Sequence, residues 1–151
     1  MKLIKSFQYA VLGLIYCIKT ERNFRVHLII TLYVLFFSLF YHFNATHYTA
    51  VIGICMLILF AEIINTAIER LTSFLCPEFN EKIKIIKDLS AASVLILSIF
   101  AVIVAFVLFW DLNVVQSILS FFADHIVFLI PLILSGVLSL LFIFKVKEKN
   151  L

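Results

Sequence analysis

Every lysine and arginine of this chain is confined to three short segments, and what lies between them is almost entirely apolar. The 12 basic residues fall within positions 2–25, 70–87 and 145–149, so no Lys or Arg interrupts 26–69 or 88–144. With 64% hydrophobic residues and a mean hydropathy of +1.17, a 151-residue chain has more apolar surface than a soluble fold can hide. Much of any small domain stays in contact with solvent. The chain is therefore expected to be an integral membrane protein. Only three Gly and two Pro leave little room for the turns of a barrel, so the spans should be helices.

Residues 2–19 read as an amphipathic surface helix, with Leu3, Ile4, Phe7, Val11, Leu14, Ile15 and Ile18 at helical spacing. Its lysines suit anionic headgroups at a membrane interface. Charged residues at 19–25 interrupt the apolar run and no cleavage site follows, so a signal peptide is not expected. Apolar runs then predict spans at 24–43, 48–69, 89–110 and 126–144, with a polar loop at 72–87. Between the last two spans, 111–125 reads as an outer interfacial segment. The three basic segments would share one side, which the positive-inside rule makes cytoplasmic, both termini included. The expected division is a unit at 1–110 and an extension at 111–151.

Within the second apolar run sits Phe60-Ala61-Glu62-Ile63-Ile64-Asn65-Thr66-Ala67-Ile68-Glu69-Arg70. At about 100° per residue, Asn65, Thr66 and Glu69 lie within about 60° of Glu62, on one narrow stripe. Ionisable groups in a span are costly and mark functional sites. Glu62 lies eight residues before Arg70, about 12 Å along the helix axis. The outer half, 48–60, has no acid or base, so the acids are reached from the cytoplasmic side and a transport pathway is disfavoured. Glu21 and Lys87-Asp88 fall at the level of Glu69. Carboxylates at one level suit Mg²⁺ completed by water and phosphate oxygens, a lysine suits phosphate charge, and a deeper carboxylate suits a general base. That set describes phosphoryl transfer from a nucleotide to an amphiphile. The same residues also read as helix-end markers, with Glu69–Lys87 a structural ion pair. Gly13, Gly53 and Gly136 stand alone, which excludes a Gly-rich phosphate loop.

Three blocks carry a resemblance: Glu21-Arg22-Asn23-Phe24-Arg25, then Glu62-Ile-Ile-Asn65-Thr-Ala-Ile-Glu69-Arg70, then Lys87-Asp88-Leu-Ser-Ala-Ala. In this order they resemble the small prokaryotic diacylglycerol kinase and undecaprenol kinase family, over about residues 1–110. The form Thr-Glu-Arg-Asn-Phe-Arg-x-His is similar to the Gram-positive undecaprenol kinase type. The resemblance implies an all-α bacterial inner-membrane protein, a homotrimer with shared sites, transferring the ATP γ-phosphoryl group to undecaprenol. Diacylglycerol is the alternative acceptor, and a non-enzymatic membrane subunit a second alternative; no nucleic-acid partner is expected. By motif match, Glu62 would be the base and Glu21 and Glu69 would hold Mg²⁺ with ATP. Tyr9, Asn65, Glu78, Lys87 and Asp88 would contact the nucleotide, and Asn23, Phe24 and Arg25 would line the lipid groove.

The sequence departs from the family pattern at Ser73, where Asp is common, at Ser90, where Gly is usual, and at Leu12, where a base is frequent. The fourth span is the larger departure, since typical members stop after three. His27, His42, His47 and His125 show no metal spacing and read as structural, although His27 lies within a matched motif. Cys17, Cys55 and Cys76 read as reduced thiols. Tyr48 and Trp110 read as interfacial anchors.

Overall fold

The computed structural model describes residues 2–145; the Lys2 side chain and the expected basic tail Lys147, Glu148 and Lys149 lie outside the description. Among the described residues the chain is helical throughout: α1 (Lys2–Thr20), α2 (Arg22–Ser38), α3 (Ala45–Leu75), α4 (Glu81–Phe109), α5 (Leu112–Asp124) and α6 (Ile126–Phe144). Of these, α3, α4 and α6 are long and apolar enough to cross a membrane. With 17 residues, α2 is about 25 Å long.

The expected polar loop is much shorter than its charges implied. Helix α3 continues to Leu75 and α4 begins at Glu81, leaving only 76–80 between them. Charge marks where the membrane ends, whereas helix ends are set by backbone chemistry. Here Pro77 follows the end of α3, and the Asn80 side chain accepts from the Lys82 and Ile83 backbone N–H groups to start α4. At the other end, α2 stops at Ser38 although apolar residues run on. Leu39, Phe40 and Tyr41 each bond three residues back to Phe36, Phe37 and Ser38 in a tighter turn. Asn44 then caps α3 by accepting from the His47 N–H. Tyr41 closes this end by donating to the Phe109 carbonyl at 2.9 Å.

The core lies where α3 meets α2 and α4. Phe24, Val51, Ile54, Ile58, Ala61 and Val94 are buried there. Small Ser90 and Val94 are the buried residues of α4, and small contact residues let helix backbones approach closely. Most other apolar side chains of α4 and α6, from Leu95 and Ile99 to Leu138 and Leu141, face outward. A surface this apolar on helices of spanning length suits a hydrocarbon solvent. The molecule is an all-α membrane protein.

The C-terminal end of helix α6 is clasped by one side chain. Arg25, 5% exposed, donates through Nη1 to the carbonyls of Phe142 (2.6 Å) and Lys145 (2.9 Å) at the end of α6. Its Nη2 donates to Lys19 O at 2.8 Å and its Nε to Ile18 O, both at the end of α1. The guanidinium also lies over the Phe142 ring, 4.9 Å from its centroid. The last four carbonyls of a helix have no partner within it, and a cation there also meets the negative end of the dipole. One arginine thus serves two helix ends at once. Farther out, Tyr33 and Ser135 share a 2.8 Å hydrogen bond between α2 and α6. Beyond it α2, α5 and α6 enclose an apolar groove of about 560 Å³ lined by Phe36, Phe40, Phe121 and Phe128.

Candidate active site at the α2–α3–α4 junction

The polar stripe of α3 turns into the junction. Glu62 is 3%, Thr66 5% and Asn65 7% exposed, while Glu69 is half-buried. An apolar helix that aims its polar residues at its neighbours hides them from lipid, and each must then find a partner.

Asn65 is held from both sides. Its Nδ2 donates to Glu69 Oε1 at 3.2 Å, one turn along α3. Its Oδ1 lies 2.6 Å from Ser90 Oγ of α4. The Ser90 hydroxyl is also 2.9 Å from the Lys87 carbonyl, so its single proton serves one of these acceptors at a time. A glycine at position 90 would lack this contact. The amide thereby links α4 to the Glu69 carboxylate.

Glu21 occupies the bend between α1 and α2. It is the N-cap residue of α2, yet its side chain does not cap the helix. Its carboxylate instead accepts from Arg70 Nη2 at 3.0 Å and from the Thr20 hydroxyl at 3.1 Å. Arg70 also lies over the Tyr16 ring, 5.3 Å from its centroid. These contacts hold the bend against α3 one residue beyond Glu69. Cys17, buried beside them, has its thiol pushed up by burial and then by the Glu21 carboxylate, against a hydrogen bond with Thr66 that works the other way.

Lys87 donates to Ser73 Oγ at 3.0 Å, which ties the second turn of α4 to the last turn of α3. The expected Glu69–Lys87 ion pair is not present among the described residues: Lys87 reaches Ser73 and Glu69 accepts from Asn65. Tyr9, Asp88 and Glu78 are exposed, and no hydrogen bond or ion pair among the described residues joins their side chains to the cluster. Of the proposed groove residues, Asn23 is exposed, Phe24 is 1% exposed in the core, and Arg25 forms the clasp described above.

One member of the site was read from sequence as structural. His27 of α2 places Nε2 3.4 Å from Glu62 Oε1. Its lone position on an apolar helix gives no metal or triad spacing, and the signal in the sequence is its place at the end of the longer Thr20-Glu-Arg-Asn-Phe-Arg-x-His27 form of the first block. His27 also stands at one end of an apolar slot of about 200 Å³ between α2, α3 and α4, lined by Val34, Ile54, Ile58, Val102 and Phe109.

Comparison with known proteins agrees with the three sequence blocks. The family described as prokaryotic diacylglycerol kinase matches residues 8–109. A Synechocystis sp. protein named diacylglycerol kinase is 34% identical over 103 residues, which is 68% of this chain. That match spans 59% of the relative's own length. All of the junction residues fall inside the matched segment, while α5 and α6 lie beyond it. The chain belongs to the prokaryotic diacylglycerol kinase family.

Proposed function

We propose that the protein is a membrane lipid kinase that transfers the γ-phosphoryl group of ATP to the hydroxyl of undecaprenol. The observation that carries the reading is Glu62, a carboxylate 3% exposed in a membrane helix, two turns deeper than the half-buried Glu69. A scaffold has no need of such a group. A lipid hydroxyl offered from the bilayer meets the deep carboxylate, and a water-borne nucleotide meets the shallow ones.

In this reading Glu62 takes the proton of the lipid hydroxyl while the hydroxyl oxygen bonds to the γ-phosphorus and the bond from phosphorus to the bridging oxygen of ADP breaks. The products are a phosphorylated lipid and ADP. Glu21 and Glu69 would hold Mg²⁺. Both are half-buried carboxylates, hard oxygen donors of the kind that ion takes one or two at a time while phosphate and water would complete its shell. The metal supplies charge neutralisation on the phosphates. Asn65 orients Glu69 through its 3.2 Å contact. Lys87 and Asp88, in the second turn of α4, would meet the phosphate end of the nucleotide, and Tyr9 and Glu78 its remainder. Of the three residues expected along a lipid groove, Asn23 is exposed and would meet the lipid, while Phe24 and Arg25 are buried and would act only by holding α2 in place. Catalysis then rests on positioning and charge rather than on a covalent intermediate.

Two observations divide on the acceptor. The Thr20-Glu21-Arg22-Asn23-Phe24-Arg25-Val26-His27 block favours undecaprenol, and the name of the Synechocystis relative favours diacylglycerol. The proposal includes a bacterial inner-membrane location, α2, α3, α4 and α6 as spans, both termini cytoplasmic, a kinase unit at 1–110, an extension at 111–151 and a homotrimer with shared sites. Purified protein in mixed micelles with Mg-ATP, given each lipid separately, tests the reaction. Phosphorylated undecaprenol in excess is the expected product. Preference for diacylglycerol would overturn the acceptor, and no phosphorylated lipid from either would overturn the kinase reading.

A further inference from the structure

We infer that His27 is a positioning residue for Glu62, holding one carboxylate oxygen so that the other faces the acceptor hydroxyl. The inference rests on the proposed role of Glu62 as base. Its ground is geometric. Glu62 is 3% exposed, and His27 Nε2, 3.4 Å from Oε1, is the one side-chain nitrogen paired with its carboxylate among the described residues. A buried carboxylate without a donor is strongly disfavoured, and a single fixed donor also sets its orientation.

Among the described residues no hydrogen bond and no other ion pair reaches the Glu62 carboxylate, and buried Thr66, one turn along, bonds the Cys17 thiol. Asn65 is committed to Ser90 and Glu69, Arg70 to Glu21, and Lys87 to Ser73. Cys17 of α1 is close enough to feel the Glu62 charge, but a thiol is a weak donor. His27 also differs from them in its second contact. Its side chain is 19% exposed and lies at the end of the apolar slot between α2, α3 and α4. A lipid hydroxyl reaching Glu62 from that slot would pass the imidazole. His27 donating through Nε2 would hold the nearer oxygen and leave the other for the incoming proton. Misplacement of a reacting group by about 1 Å can cost about 100-fold in rate.

The test uses the full-length protein in mixed micelles. His27→Leu should lower kcat about 100-fold while leaving KM for Mg-ATP and for the lipid within about threefold. His27→Gln, whose amide can donate from a similar reach, should recover at least about tenfold of that loss. An unchanged kcat in His27→Leu, a loss confined to KM, or a Gln variant no better than Leu would overturn the inference. The parent enzyme separates this from the broader reading, since an inactive parent overturns the kinase and leaves the pair to a second measurement. In a thermal cycle, His27→Leu should lower the unfolding temperature by several degrees in the parent and by much less in Glu62→Gln, where no buried charge needs holding. Equal shifts in both backgrounds would overturn the pairing.

Discussion

Replacing Arg25 should detach the C-terminal helix before it unfolds the rest. The guanidinium bonds to four carbonyls, two at the end of α1 and two at the end of α6. Hydrogen bonds to a charged group contribute about 1.5–3 kcal/mol each in net terms, so a simple sum gives about 6–12 kcal/mol. That sum is too large. Burying the guanidinium costs several kcal/mol, and carbonyls at helix ends near the interface regain water when the arginine is removed. Contact with the Phe142 ring restores about 1 kcal/mol. Breaking a buried charge network generally costs about 3–5 kcal/mol, and the lower end suits acceptors that are neutral. Arg25→Ala should therefore weaken α6 docking by about 3 kcal/mol, which is roughly two decades in local opening. Arg25→Lys keeps the charge but not the fork that spans both helix ends, and should recover less than half. Hydrogen exchange in micelles, read on the last turns of α6 against the centre of α3, measures this directly. Exchange near Phe142 should accelerate about 100-fold in Arg25→Ala while the α3 amides around Ile58 hardly change. Unchanged exchange near Phe142, or equal acceleration in both helices, would refute the clasp.

Three further perturbations probe the junction. Glu69→Gln should raise the Mg²⁺ concentration needed for half-maximal turnover by about tenfold, since one of two carboxylates that would hold the ion is gone; an unchanged Mg²⁺ dependence in the micelle assay would remove Glu69 from the metal site. Ser90→Ala leaves the buried Asn65 carbonyl without the hydroxyl 2.6 Å away and should cost about 1–2 kcal/mol, read as a lowered unfolding temperature; a stability equal to the parent would show that the contact carries no weight. Because burial and the Glu21 carboxylate push the Cys17 thiol up, a protein retaining only that cysteine should alkylate slowly near pH 8, with the rate still rising at higher pH where an exposed thiol has levelled off. Fast labelling near neutral pH would contradict the buried placement.

Different parts of the molecule were legible to different degrees, for reasons that lie in the range of the interactions. Helix α6 coincides with the apolar run between His125 and Lys145, and α1 with its amphipathic period, because both are set by the surrounding solvent along the chain. The junction of α3 and α4 was read as a long polar loop because its charges mark the membrane boundary. The helices run past that boundary until Pro77 and the Asn80 cap intervene. The Glu62–Glu69 stripe was visible from spacing, since helical period alone puts those residues on one face. What each side chain touches was not. Arg25 meets carbonyls 117 and 120 residues away, and no local pattern encodes that. The same holds for His27, whose partner sits on another helix. Ser90 stands out in the sequence only as a departure from the family pattern, and nothing local shows that its hydroxyl reaches the buried amide of Asn65.

The central claim is that the deep carboxylate handles the lipid hydroxyl while the shallow ones serve the metal and nucleotide. Glu62→Gln tests it most directly, with equilibrium binding of Mg-ATP and lipid phosphorylation measured on the same micellar preparation. The account predicts turnover reduced by at least about 1,000-fold with Mg-ATP affinity within about threefold of the parent. Retained turnover, or a parallel loss of Mg-ATP binding, would contradict it.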